Sequence, residues 1–76
     1  MTPFKYAMTQ VIEDVDFGGM VMFIDCRNLS RFRHMSSSRY CKLVWRGIKY
    51  GFLEFKDKET PDNIVVTEKG RKYANL

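Results

Sequence analysis

The chain has 76 residues and a net charge of +4, and 45% of its residues are hydrophobic. This length suits a single small domain spanning residues 1–76, and the balanced composition excludes disordered and fibrous chains. The longest apolar run has five residues, whereas a membrane-spanning helix needs about 20, so no membrane partner is expected.

The first predicted element is an amphipathic helix that begins at Pro3, with Thr2 as its N-cap. Proline suits the first helical position because its missing N–H is no loss there. We expect Gly18 and Gly19 to end the helix. The segment lacks the apolar stretch of a signal peptide, which predicts a cytoplasmic location. Apolar side chains recur at the spacing of one helical face, at Phe4, Ala7, Met8, Val11, Ile12 and Val15.

Two short elements are predicted before a cluster of serines. The apolar run at residues 20–24 favours a short strand. Asp25 could cap a short helix over residues 25–34. Cys26 and Cys41 have no metal-binding spacing and are expected to be reduced thiols, so neither a metal site nor a cofactor is predicted.

Three consecutive serines at residues 36–38 predict a new helix over residues 37–50, because serine hydroxyls cap helix N-termini. Gly51 is the expected stop. The apolar side of this helix carries Tyr40, Leu43, Val44 and either Gly47 or Ile48. The opposite side and its flanks carry Ser38, Arg39, Lys42, Trp45, Arg46 and Lys49.

Positive charge is concentrated around this helix. Residues 26–53 contain seven basic and no acidic residues, whereas the rest of the chain holds six basic and nine acidic residues. Like charges gathered without counter-charges repel one another, which favours an anionic partner. A solvated basic face without a partner stays open as the alternative on charge alone.

The C-terminal third predicts a hairpin and a short helix. Residues 52–56 and 64–67 have strand character and flank a polar turn. Thr67 is expected to cap a last helix over residues 68–75, with Glu68 near the positive end of its dipole.

This order of elements is that of an α+β winged helix-turn-helix, with a three-helix core, a β-hairpin wing and a short C-terminal helix. Residues 35–53 read MSSSRYCKLVWRGIKYGFL and resemble the turn and recognition helix of MarR-like regulators, whose pattern is of the type VSRSTVSRHLKRLEEKGLI. Residues 66–76, VTEKGRKYANL, are similar to the LTEKGREL segment after the wing in that family. The resemblance covers about residues 29–76. It departs at Gly47, where the family usually has leucine, and the long dimerisation helices are lacking.

The resemblance implies a small transcriptional regulator that binds double-stranded DNA sequence-specifically, with helix 37–50 in the major groove. Arg39 is the best candidate for reading a base, because arginine can pair with guanine through two hydrogen bonds. At the start of the helix, contacts with bases or phosphates are expected from Ser37, Ser38 and Arg39. Phosphate contacts are expected from Lys42, Arg46 and Lys49 on the helix. The wing is expected to reach the minor groove or the DNA backbone through Lys56 and Lys58.

A second hypothesis keeps the fold but uses it for protein–protein interaction, as a small inhibitor or assembly subunit with Trp45 in the contact. An enzyme is not expected, because His34 is the only histidine and no nucleophile motif or phosphate loop is present. No small-molecule ligand is predicted. A homodimer stays open, because one such domain contacts a single half-site.

Overall fold

The computed structural model describes residues 2–18, 21–22, 36–57, 59 and 63–76. These residues form an α+β fold of three helices and one three-stranded antiparallel sheet. The predicted helix at residues 25–34 and Lys58 lie outside the described residues. In chain order the elements are α1 (Pro3–Gly18), β1 (Val21–Met22), α2 (Ser37–Lys49), β2 (Leu53–Phe55), β3 (Asn63–Val66) and α3 (Glu68–Tyr73).

α1 begins where the sequence predicts. Thr2 Oγ1 accepts a hydrogen bond from the Lys5 N–H at 3.1 Å, which caps the first turn. The predicted apolar face is buried apart from Phe4, which is half-buried at its edge. In the part of the chain that the structure describes, no helix is both long and apolar enough to cross a lipid bilayer.

α2 has a specific cap at each end. Ser36 Oγ accepts a hydrogen bond from the Arg39 N–H at 3.2 Å. At the other end Gly51 adopts a φ of 82°, and the Phe52 N–H donates to the Gly47 carbonyl at 2.8 Å. This left-handed glycine and the bond that follows it form a Schellman motif. The predicted start and stop are confirmed, and the helix ends one residue before the predicted boundary.

The sheet has β3 in its centre, with β1 and β2 as its antiparallel neighbours. Ile64 of β3 lies opposite Val21 on one side and Phe55 on the other. In β2 the buried Leu53 alternates with the exposed Glu54, which is the period of a strand with one face on the core. The predicted hairpin is therefore present, and β1 lies within the strand expected at residues 20–24, whose other residues are outside the described part of the chain.

Two glycines allow the helices to approach the sheet closely. A Cβ at Gly47 would lie 2.7 Å from Leu53 Cδ1, so α2 rests closely on β2, and any side chain at this position would require the Leu53 side chain to shift. The same holds for the leucine usual at this position in the MarR-like pattern. A Cβ at Gly70 would overlap the Phe52 carbonyl oxygen, so this glycine packs α3 against the backbone that leads into β2.

Thr67 joins the last helix to the turn after α2. Its Oγ1 accepts a hydrogen bond from the Gly70 N–H at 3.0 Å and donates one to the Gly51 carbonyl. The predicted cap of α3 is therefore confirmed. The helix ends at Tyr73, short of the predicted residue 75, because Asn75 adopts a left-handed φ of 63°.

Candidate nucleic-acid interface

The side of α2 that faces away from the core forms one basic surface, called here the α2 surface. All of its side chains are exposed. Four of them follow one another at spacings of four, three and four residues, which places them along one line of the helix. The other two, both arginines, lie along one flank. The α2 surface consists of Ser38, Arg39, Lys42, Trp45, Arg46 and Lys49.

The buried face of α2 determines which side chains point outward. Tyr40, Leu43 and Val44 are buried against the core. The Tyr40 hydroxyl also donates a hydrogen bond of 2.9 Å to Oδ2 of Asp14, a carboxylate of α1 that is only 8% exposed. This buried bond ties the first turns of α2 to α1, so the helix cannot rotate about its axis without breaking it.

The cations of the α2 surface have no carboxylate partner within the described ranges. The ion pairs found there join Arg71 to Asp16 at 2.6 Å and Lys72 to Glu68 at 4.0 Å, and none of these residues belongs to α2. Two carboxylates of α1 are thus engaged by other groups. Asp16 pairs with Arg71, and Asp14 accepts the hydrogen bond from the Tyr40 hydroxyl. The positive charge of α2 therefore faces solvent without compensation from a described carboxylate.

Two side chains of the α2 surface rest on aromatic rings. Trp45 is 56% exposed, and its indole makes an edge-to-face contact with Phe55 of β2, with ring centroids 6.1 Å apart. The Arg46 guanidinium carbon lies 6.0 Å from the centroid of the Phe4 ring in α1. Such contacts restrict both side chains while leaving part of each exposed.

A group of cations and aromatic rings at the C-terminal end of α2 was not anticipated from the sequence. Lys5 lies 5.1 Å from the Tyr73 ring centroid, and Lys69 lies 5.5 Å from that of Phe52. No local signal marks these lysines, because they lie toward opposite ends of the chain and only the tertiary fold brings each of them onto its aromatic ring.

The structure brings five of the eight predicted contact residues onto one helix surface: Ser38, Arg39, Lys42, Arg46 and Lys49. Ser37 begins α2, and its side chain is not described. Lys56 is exposed just after β2, on the hairpin and not on α2. Lys58 lies outside the described residues.

The described residues offer no donor set for a metal ion, and a groove opens between α2 and β2. No group of three or more His, Cys, Asp or Glu side chains among them could hold a metal. A groove of about 400 Å³ between α2 and β2 is lined by Ile48, Leu53, Phe55 and Glu54, among others. Its walls are largely apolar, which suits an apolar contact better than a charged ligand.

The described residues thus form an α+β fold in which α2 exposes basic side chains that have no carboxylate partner among those residues. The chain matches none of the protein-family models, curated proteins and solved structures with which it was compared. What the α2 surface binds therefore has to be inferred from its own charge, shape and neighbours.

Proposed function

We propose that this protein binds double-stranded DNA sequence-specifically and acts as a small transcriptional regulator that inserts α2 into the major groove. The observation that carries the proposal is the α2 surface, whose cations have no carboxylate partner in the described part of the chain. A polyanion supplies the missing counter-charge, and neutralising its phosphates releases bound counterions, which favours association.

The order of the described elements supports a winged helix-turn-helix as the scaffold. α2 is followed directly by the β2–β3 hairpin, and β1 adds a third strand beside β3. In winged-helix domains this arrangement sets a hairpin wing beside the helix that enters DNA. Lys56, exposed at the end of β2, is then placed to reach the DNA backbone.

The dimensions of α2 suit the major groove. An α-helix with its side chains is about 10–12 Å in diameter, which matches the groove width of about 12 Å, and the 13 residues of α2 span about 20 Å along the groove. Arg39 lies in the first turn, where side chains of a docked helix reach base edges, so it is assigned to base reading. Lys42 and Lys49 lie further along the α2 surface and are assigned to phosphates.

The salt dependence of duplex binding tests the proposal. Lys42, Lys49 and Lys56 provide three phosphate contacts. This number predicts that the affinity for a random-sequence duplex pool falls about fortyfold between about 50 and 200 mM salt. Fluorescence anisotropy with labelled duplexes measures this directly. Failure to bind duplex DNA, or an affinity that does not change with salt, would contradict the proposal.

Two alanine substitutions on α2 separate base reading from phosphate binding. Arg39→Ala is expected to relax the preference for selected over random duplexes, whereas Lys49→Ala weakens binding to both alike. Arg71→Ala is the matched control, because Arg71 pairs with Asp16 away from α2 and its loss should leave both affinities unchanged. Equal losses on both duplexes for Arg39→Ala and Lys49→Ala would refute the assignment of roles.

A second candidate function is docking on another protein with the same fold. It is favoured by the contact of the exposed Trp45 with Phe55, beside the largely apolar groove between α2 and β2. Lys42→Glu discriminates the two candidates, because it places a negative charge against DNA phosphates but leaves the apolar contact in place. The protein partner would be favoured if the Lys42→Glu variant kept full activity and formed a stable complex with another protein in the absence of nucleic acid.

A further inference from the structure

Trp45 occupies the centre of the α2 surface. It lies on the same line of the helix as Lys42 and Lys49, which stand about one turn before and after it. With more than half of its side chain exposed, Trp45 projects in the same direction as these lysines. A groove that receives them receives the indole as well.

Phe55 holds the indole in a defined position. The two rings meet edge to face at an interplanar angle of 71°, a favourable geometry for an aromatic pair. Because Phe55 belongs to β2, the contact that positions the indole comes from the sheet and not from α2 itself. The exposed part of the ring is therefore presented at a fixed place on the α2 surface.

The major groove offers few partners for an apolar ring. Its base edges carry hydrogen-bond donors and acceptors, and the C5-methyl group of thymine is the apolar feature among them. An indole ring set against polar edges would strip them of water, and its single Nε1–H donor could replace at most one of the lost hydrogen bonds. Set against a thymine methyl, the same ring removes apolar surface from water on both sides.

From this geometry we propose that Trp45 is a specificity residue that reads a thymine C5-methyl, so that the base pair facing it is A·T. The inference depends on the proposed binding of α2 in the major groove and adds a base preference to it. Arg39, at the start of the helix, and Trp45, six residues later, then read different base pairs of one site.

Replacing thymidine by deoxyuridine tests the inference, because it removes the methyl group and leaves the base pairing intact. Duplexes are first selected from a random pool with the wild-type protein, and each thymidine of the selected site is then replaced singly. Loss of one buried methyl contact predicts about fourfold weaker binding at the position that Trp45 faces. Trp45→Ala is expected to bind the thymidine and deoxyuridine duplexes equally.

Two further variants serve as controls. Tyr6→Ala removes an aromatic side chain of α1 with nearly the same exposure, 55% against 56%, and should keep the fourfold difference. Trp45→Phe retains an apolar ring and should also discriminate, which covers the case in which Trp45→Ala does not fold. Circular dichroism verifies the fold of each variant.

The outcomes separate this inference from the proposed function. Tight duplex binding with no effect of deoxyuridine at any position overturns the inference and leaves DNA binding intact. A deoxyuridine effect that persists in Trp45→Ala also overturns it, as does a selected site without thymidine. Failure to select any duplex removes the proposed function, and the inference with it.

Discussion

The two faces of α2 differ in what they contact, and the difference separates folding from binding. On the inner face Leu43 and Val44 are buried, and Gly47 lies so close to Leu53 that a Cβ there would displace the leucine side chain. On the outer face, the α2 surface exposes cations that have no carboxylate partner in the described part of the chain. Substitutions on the inner face should therefore change stability, and those on the outer face should change affinity.

The largest expected contrast is between two adjacent residues on opposite faces. Leu43→Ala should lower the free energy of unfolding by about 2–5 kcal/mol, because it removes a buried side chain and leaves a cavity. Lys42→Ala should change that free energy by less than about 0.5 kcal/mol and weaken duplex binding about tenfold near 0.1 M salt. Urea unfolding and anisotropy measure the two effects. Similar stability losses in both variants would show that the faces are not distinct.

The hydrogen bond between Tyr40 and Asp14 should produce the next largest effect. Tyr40→Phe removes the hydroxyl that donates to this buried carboxylate, which should lower stability by about 1–3 kcal/mol. The matched control is Tyr50→Phe, at an exposed tyrosine that follows α2, with an expected change below about 0.5 kcal/mol. Equal effects in the two variants would mean that the buried bond does not stabilise the pairing of α1 with α2.

The N-cap of α2 is expected to contribute less. Ser36→Ala removes the acceptor for the Arg39 N–H and should cost about 1 kcal/mol. Ser38→Ala removes an exposed hydroxyl one position inside the helix and should change stability by less than about 0.5 kcal/mol. Thermal unfolding followed by circular dichroism distinguishes the two variants, and the reverse order of stability would contradict the assigned cap.

The smallest effect is expected where charge is already paired. Arg71→Ala breaks the ion pair with Asp16, whose side chains are 52% and 29% exposed, so solvent screening limits the loss to about 0.2–1 kcal/mol. Added salt should shrink this difference further. Comparison of the variant with wild type in urea at low and high salt tests the expectation. A duplex affinity reduced as much as in Lys49→Ala would place Arg71 in the interface.

Features that depend on local sequence rules could be predicted. Ser36, Thr67 and Gly51 act at the helix ends where short-range hydrogen bonding and the freedom of glycine place them. The helical period also separated the two faces of α2, since it depends only on spacing along the chain. By contrast, the early end of α3 depends on the left-handed conformation of Asn75, which no periodicity indicates.

Features that depend on contacts between distant segments could not be predicted. Asp14 is one of three acidic residues of α1, and nothing near it in the sequence indicates its hydrogen bond to a tyrosine 26 residues away. The contact of Trp45 with Phe55 could not be predicted either, because Phe55 belongs to the hairpin. The outward direction of Trp45, by contrast, follows from the helical period. The contacts of Lys5 with Tyr73 and of Lys69 with Phe52 likewise join segments that are distant in the sequence.

The close approach of α2 to the sheet at Gly47 governs how this helix can meet a ligand. With Leu53 directly beneath it, α2 lies close to the sheet, and any movement of the helix toward β2 requires the Leu53 side chain to shift. The conformational entropy of positioning the helix is lost during folding, so that less remains to be lost on association. For the proposed binding of DNA, this favours a duplex whose shape already fits the helix.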